Sequence, residues 1–149
     1  MLSRTAEYLY WISRYMERAE TTARLLDVGY RMSLFPNPSG YNNEWESVLS
    51  AAGAIEGYKN KYDTIEQKNV EDYLFFDESN PSSVYNCILN ARNNALVVRT
   101  SFTPESWLAI NKTYQEILNL KEKKFTKSDL PDLTEWTIEQ VNLFRGSLS

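Results

Sequence analysis

Histidine is absent from this 149-residue chain, and cysteine occurs once, as Cys87. Without histidine there is no Ser-His-Asp or Cys-His arrangement, no histidine-based zinc site and no Glu-x-x-His di-iron pattern of the kind helical bundles carry. A single cysteine makes neither an intrachain disulfide nor a thiolate zinc site, and fits a reducing compartment. No GxxxxGK[ST] or GxGxxG string occurs, so the standard phosphate-cradling loops are missing. No metal or cofactor is expected. There is no run of about 18 apolar residues to span a bilayer, and the N-terminus lacks the apolar stretch of a secretory signal. The expectation is a cytoplasmic protein without membrane association. Lys and Arg number 16 against 20 Asp and Glu, for a net charge of −4. That balance argues against broad attraction to nucleic-acid phosphates.

Proline and glycine are scarce, five of each, and the first 31 residues hold no proline and only Gly29. Thr5 to Arg31 is rich in Ala, Leu, Met, Arg and Glu, which favour helix. Ser3 is the candidate N-cap. At about 100° per residue one face carries Tyr8, Leu9, Ile12, Tyr15, Met16, Ala19, Ala23, Leu26 and Tyr30. The other carries Glu7, Arg14, Glu17, Arg18, Thr21, Arg24 and Arg31, with Glu20 and Asp27 at the border. Glu20–Arg24 and Asp27–Arg31 are i,i+4 pairs in the favourable order, each worth about 0.2–0.5 kcal/mol when exposed. Arg14–Arg18 is a like-charge pair that Glu17 offsets. This face reads plainly as solvated and salt-bridged. The sharper alternative points Arg14, Glu17 and Arg18 into a polar groove, where guanidinium groups suit carboxylate or phosphate.

The rest of the chain also reads as helix. Met32–Asn43 is a proline-containing connector, with a lid over a site as the alternative. Asn43 caps a second helix with Trp45, Val48, Leu49, Ala52, Ile55 and Tyr58 as its stripe, and Gly53 inside it. Thr64 and Gln67 have capping-box spacing ahead of a helix over 65–76, whose inward residues are Val70, Tyr73, Leu74 and Phe76. Asn80-Pro81 starts a helix to about Ser101, with Val84, Cys87 or Ile88, Ala91, Ala95 and Val98 inward. Its free N–H groups are a weak anion site. Arg92 and Arg99 share one of its faces, either solvated or turned toward Glu17. Thr103-Pro104-Glu105 starts a helix with Trp107, Leu108, Tyr114, Ile117 and Leu118 as its stripe. Lys121, Lys123, Lys124 and Lys127 complement its C-terminal dipole. Asp129 or Asp132 opens the last helix, and Gly146 stops it. The expected fold is all-α: about six helices in an antiparallel, bundle-like single domain over residues 1–149, with one aromatic-rich core. Cys87, on an apolar face, reads as a core residue.

The opening LSRTAEYLYWISRYMERAETTARLLDV resembles that of the bacterial alpha-E family, a helical domain of unknown function named for a Glu-Arg signature. Glu17-Arg18 stands at that signature. NEWESVLSAAGA, DESNPSSV, NARNNALVVR and LFRG extend the resemblance along nearly the whole chain. Proteins of the family look about twice as long, so the expectation is that this chain corresponds to their first half and self-associates through the surface a second half would cover. The resemblance implies partnership with ATP-grasp ligases and transglutaminase-like enzymes in making or modifying a peptide. On that reading the domain is a non-catalytic accessory, and Arg14, Glu17, Arg18 and Arg24, with Arg92 and Arg99, contact the partner or an acidic peptide. The alternative is an enzyme with a polar groove acting on a peptide or anionic substrate, Glu17 its acid or base and Arg18 its anion clamp.

Overall fold

The computed structural model describes residues 2–35, 43–123 and 130–148. The lid reading of the proline-containing connector and the readings of Lys124, Lys127 and Asp129 fall outside these residues. Among the described residues the chain has seven α-helices, one π turn, one 3-10 turn and no strand. The first helix, α1 (Leu2–Ser33), is unbroken over 32 residues, about 48 Å at 1.5 Å per residue. Ser3 lies inside it, so it is not the cap.

Four long helices make an up-and-down bundle: α1, α5 (Val84–Val97), α6 (Pro104–Glu122) and α7 (Leu130–Ser147). Each runs antiparallel to its two neighbours. Arg99 lies over Trp107, Arg92 over Tyr114 and Lys121 over Tyr85, which fixes α5 against α6. Ser106 reaches Ser147, Thr113 reaches Gln140 and Trp136 reaches Glu116, which fixes α6 against α7. Thr134 donates to the Ala23 carbonyl at 3.2 Å and ties α7 to α1. The short helices α2 (Asn43–Ala51), α3 (Ile55–Lys61) and α4 (Gln67–Glu71), with the π turn Asp72–Phe76, pack on the bundle at the C-terminal half of α1.

The expected second helix is in fact two, because Gly53 is not an interior residue. It takes φ +68°, with Gly53 N–H on Ser50 O at 3.0 Å and Ala54 N–H on Leu49 O at 2.9 Å. These are the two hydrogen bonds of a Schellman stop, which wants glycine at this position. Gly146, by contrast, lies within α7 and does not stop it. A methyl group meets nothing within 4 Å at either glycine. Gly53→Ala is therefore expected to lower stability by about 1–2 kcal/mol through backbone strain alone. Gly146→Ala should raise it by about 0.5–1 kcal/mol. Urea midpoints read both.

Two further helix starts differ from expectation. Thr64 does not cap α4, whose N-cap is Glu66 without a side-chain bond; the Thr64 carbonyl instead accepts from the Tyr58 hydroxyl at 2.7 Å. Ser83, not Asn80, caps α5 by accepting from Asn86 N–H, and α5 ends at Val97 before a 3-10 turn over Arg99–Ser101. Thr103 and Pro104 do start α6, and Pro131 sits in the first turn of α7.

The buried side chains form two clusters that share Tyr15 at their margin, where a single core was expected. One joins Ala19, Ala23 and Leu26 to Trp45, Tyr58, the π turn and the start of α5. The other joins Ile12 and Met16 to Ala91, Ala95, Ile110, Val141 and Phe144. The inner face expected for α5 is buried, with both Cys87 and Ile88 inward; on α1, Ile12, Met16, Ala19, Ala23 and Leu26 are buried, joined by Thr22 and Gly29, while Tyr8, Leu9, Tyr15 and Tyr30 are half-buried. On α6 the stripe is displaced. Ser106, Ile110, Thr113 and Ile117 face inward, while Leu108 is 64% exposed.

Candidate interaction surface

The charged ribs of α1 lie in water along one side of the bundle. Arg14, Glu17, Arg18, Arg24 and Arg31 are all exposed. Arg14 and Glu17 approach to 3.7 Å, with about half of each side chain exposed. Arg18 forms no ion pair or hydrogen bond among the described residues; its charge acts on the thiol of Cys87. Glu17 and Arg18, the only Glu-Arg step in the sequence, thus stand on an open surface rather than in a concave site.

Farther along α1 the charges are organised. Arg24 Nε donates to Glu20 Oε2 at 2.8 Å, and Arg145 of α7 donates to the other carboxylate oxygen at 2.9 Å. Glu20 is 15% exposed and is shared by two arginines. Two turns on, Arg31 Nε meets Asp27 at 2.9 Å. Both expected i,i+4 pairs are present, and Arg145 adds a link across helices. Between α1 and α7 runs an open groove of about 730 Å³. Arg24 and Arg31 form one rim, Glu135 and Glu139 the other, and Val28 and Ile138 lie between them.

Arg92 and Arg99 do not join this surface. They turn to α6, where Arg92 lies 4.8 Å from the Tyr114 ring centroid and donates to Asn111 Oδ1 at 3.4 Å, and Arg99 lies 5.2 Å from that of Trp107. Guanidinium groups over aromatic faces gain about 0.5–1 kcal/mol at exposed sites. The alternative reading, a meeting with Glu17, does not occur among the described residues. At Asn80–Ser83 the N–H groups of Ser82, Ser83 and Asn86 already have acceptors within the chain, which weakens the anion reading of this helix start.

Cys87 is fully buried, and burial pushes its thiol up to about 12, with the charge of Arg18 offsetting a little of the rise. A thiol held protonated is a poor nucleophile. The native chain is expected not to react with a thiol-titrating disulfide reagent near pH 8, and to react at one group per chain once unfolded in urea. Native labelling at the unfolded rate would contradict this placement.

A second cleft, of about 620 Å³, escaped the sequence reading. Lys61, Lys68, Lys121 and Lys123 line it beside Asp72, Asp77 and Glu78. Its sequence signal is slight, since the lysines come from three separate elements. Lys61 pairs with Asp77, Lys68 with Asp72 at 3.2 Å, and Lys121 with Glu78 at 3.1 Å. Burial alone would raise the Asp77 carboxyl, but hydrogen bonds from Lys61 and from the side chain and backbone of Ser79 outweigh it and hold the group below its usual range. The hydrogen bond to Asp77 in turn raises Lys61. By linkage, the aspartate's contribution to stability is present above its unfolded pKa and is lost as pH falls through the lower folded value. The lysine's is lost only as pH rises through its elevated one. The pair therefore supports the fold at neutral pH.

Among the described residues no group of three or more His, Cys, Asp or Glu side chains is placed to hold a metal ion, and no helix is long and apolar enough to cross a membrane. Comparison with known families matches residues 1–149 to Alpha-E, described as a predicted alpha-helical domain with a conserved ER motif. No curated protein and no solved structure matches the chain.

Proposed function

The chain belongs to the alpha-E family, and from that premise we propose that it works as a non-catalytic helical partner in the cytoplasm. Its exposed Arg14–Glu17–Arg18 ribs dock the ATP-grasp and transglutaminase-like enzymes that the family resemblance implies. One observation carries this reading: the Glu-Arg signature faces open water on a rigid, unbroken helix. Exposed charges on a fixed scaffold suit recognition, where they steer encounter and set specificity. Catalysis by the same residues would want a desolvated, concave setting around Glu17, and the surface around it is open. The buried thiol of Cys87 and the lack of histidine point the same way.

The test is binding by co-expression with the ATP-grasp and transglutaminase-like proteins encoded beside the gene. Arg14→Ala/Arg18→Ala and Glu17→Ala are expected to weaken the complex at least about tenfold, the scale of interface anchors. Thermal unfolding should barely move, since surface substitutions of this kind change stability by about 0.5 kcal/mol or less. Unaltered binding by all three substitutions would refute the docking role. A catalytic turnover abolished by Glu17→Gln in a folded chain would replace it with the enzyme reading.

A further inference from the structure

We propose that the α1–α7 groove is a contact between two copies of this chain, with the arginine rim of each lying on the glutamate rim of the other. The contact is independent of any docking at Arg14, Glu17 and Arg18. It rests on the charge pattern of the groove. Arg24 and Arg31 are anchored through Nε to Glu20 and Asp27, yet their side chains remain 57% and 74% exposed, and their terminal nitrogens make no hydrogen bond among the described residues. On the opposite rim Glu135 and Glu139 are exposed, and their carboxylates have no ion pair or hydrogen bond among the described residues. They are also an i,i+4 like-charge pair, which disfavours the helix that carries them by about 0.2–0.5 kcal/mol. Among the described residues no ion pair joins the two rims across the groove, and the one α1–α7 ion pair is Glu20–Arg145. Each row is thus the complement of the other within one surface.

That is the requirement of an isologous interface, in which one patch meets itself about a two-fold axis. An axis along the groove sets the arginines of each copy over the glutamates of its partner and satisfies both rows at once. Val28, 50% exposed, and the half-buried Ile138 give the contact an apolar centre. A foreign helix would need opposite charges on its two edges to do the same; a second copy has them by construction.

Sedimentation of the full chain over a concentration series tests this. The expected result is a rise from 17.4 kDa toward twice that mass, reversed by added salt because exposed pairs are screened. Glu135→Arg/Glu139→Arg should remain monomeric, as should Arg24→Glu/Arg31→Glu, with helix content checked by circular dichroism. Mixed together, the two variants should regain the doubled mass, since the all-basic groove of one fits the all-acidic groove of the other. A wild-type chain that stays monomeric throughout overturns the proposal. So does a wild-type dimer that the Glu135→Arg/Glu139→Arg pair leaves intact, a result that needs only this surface variant to fold.

Discussion

Replacing Trp45 by alanine is expected to lower the free energy of unfolding by about 3–5 kcal/mol, the usual cost of truncating a buried Trp or Phe. Trp45 is 2% exposed and lies where α2 crosses α1. The crossing is made close by Gly29, at which a methyl group would lie 2.7 Å from Trp45 Cζ3 and 2.8 Å from Val48 Cγ2. Two opposing effects therefore meet at Gly29→Ala. Alanine favours a helix interior over glycine by about 1 kcal/mol, whereas overpacking a filled site costs about 1–3 kcal/mol. The clash should win in the native background, giving a net loss on the order of 1 kcal/mol. In Trp45→Ala the same substitution should become neutral or stabilising, because the indole has gone and Val48 has room to turn away. Urea unfolding of the two single variants and the double variant forms a cycle with a coupling of about 1–3 kcal/mol. Strict additivity would mean that the indole does not explain the glycine.

The period of α1 identifies its inner face because burial there is continuous along one arc, and α5 follows for the same reason. The stripe of α6 misleads because its interior against α7 is partly polar: Thr113 meets Gln140, and Ser106 meets Ser147. A rule that ranks apolar residues inward places Leu108 in the core and misses both threonine and serine. In the segment Asp72–Phe76 the π turn shifts the register, so Phe75 is buried while Phe76 lies half out. A strict 100° step gives the reverse. The candidate site divides along similar lines. Glu20–Arg24 and Asp27–Arg31 are local and legible, as is the outward aim of Arg14, Glu17 and Arg18. Arg92 and Arg99 are claimed by Tyr114 and Trp107 from another helix, and no local pattern announces such partners. Glu135 and Glu139 did leave a signal, two acids at i,i+4 with no base at helical spacing, but it gains meaning only once α7 lies beside α1.

Asn80→Ala is the other substitution expected to be costly, at about 3 kcal/mol, because it strips partners from buried backbone groups. Asn80 is 3% exposed. Its Nδ2 donates to the Tyr73 carbonyl in the π turn at 2.9 Å, and its Oδ1 accepts from Ser82 N–H at 3.1 Å. One amide therefore closes the end of the π turn and shapes the approach to α5. Asn86 buttresses the same loop from the other side, its Nδ2 reaching the carbonyls of Glu78 and Asn80 at 2.9 and 2.8 Å. Asn80→Asp separates the two bonds: a carboxylate still accepts from Ser82 but has no hydrogen to give to Tyr73 O. It places two acceptors together, so it should destabilise at neutral pH and recover part of the loss in mild acid, where a protonated carboxyl can donate. The alanine variant should show no such recovery. Chemical unfolding of both variants at about pH 7 and pH 4.5 distinguishes them. Equal losses for the two at both pH values would mean that the bond to Tyr73 contributes little to holding the π turn.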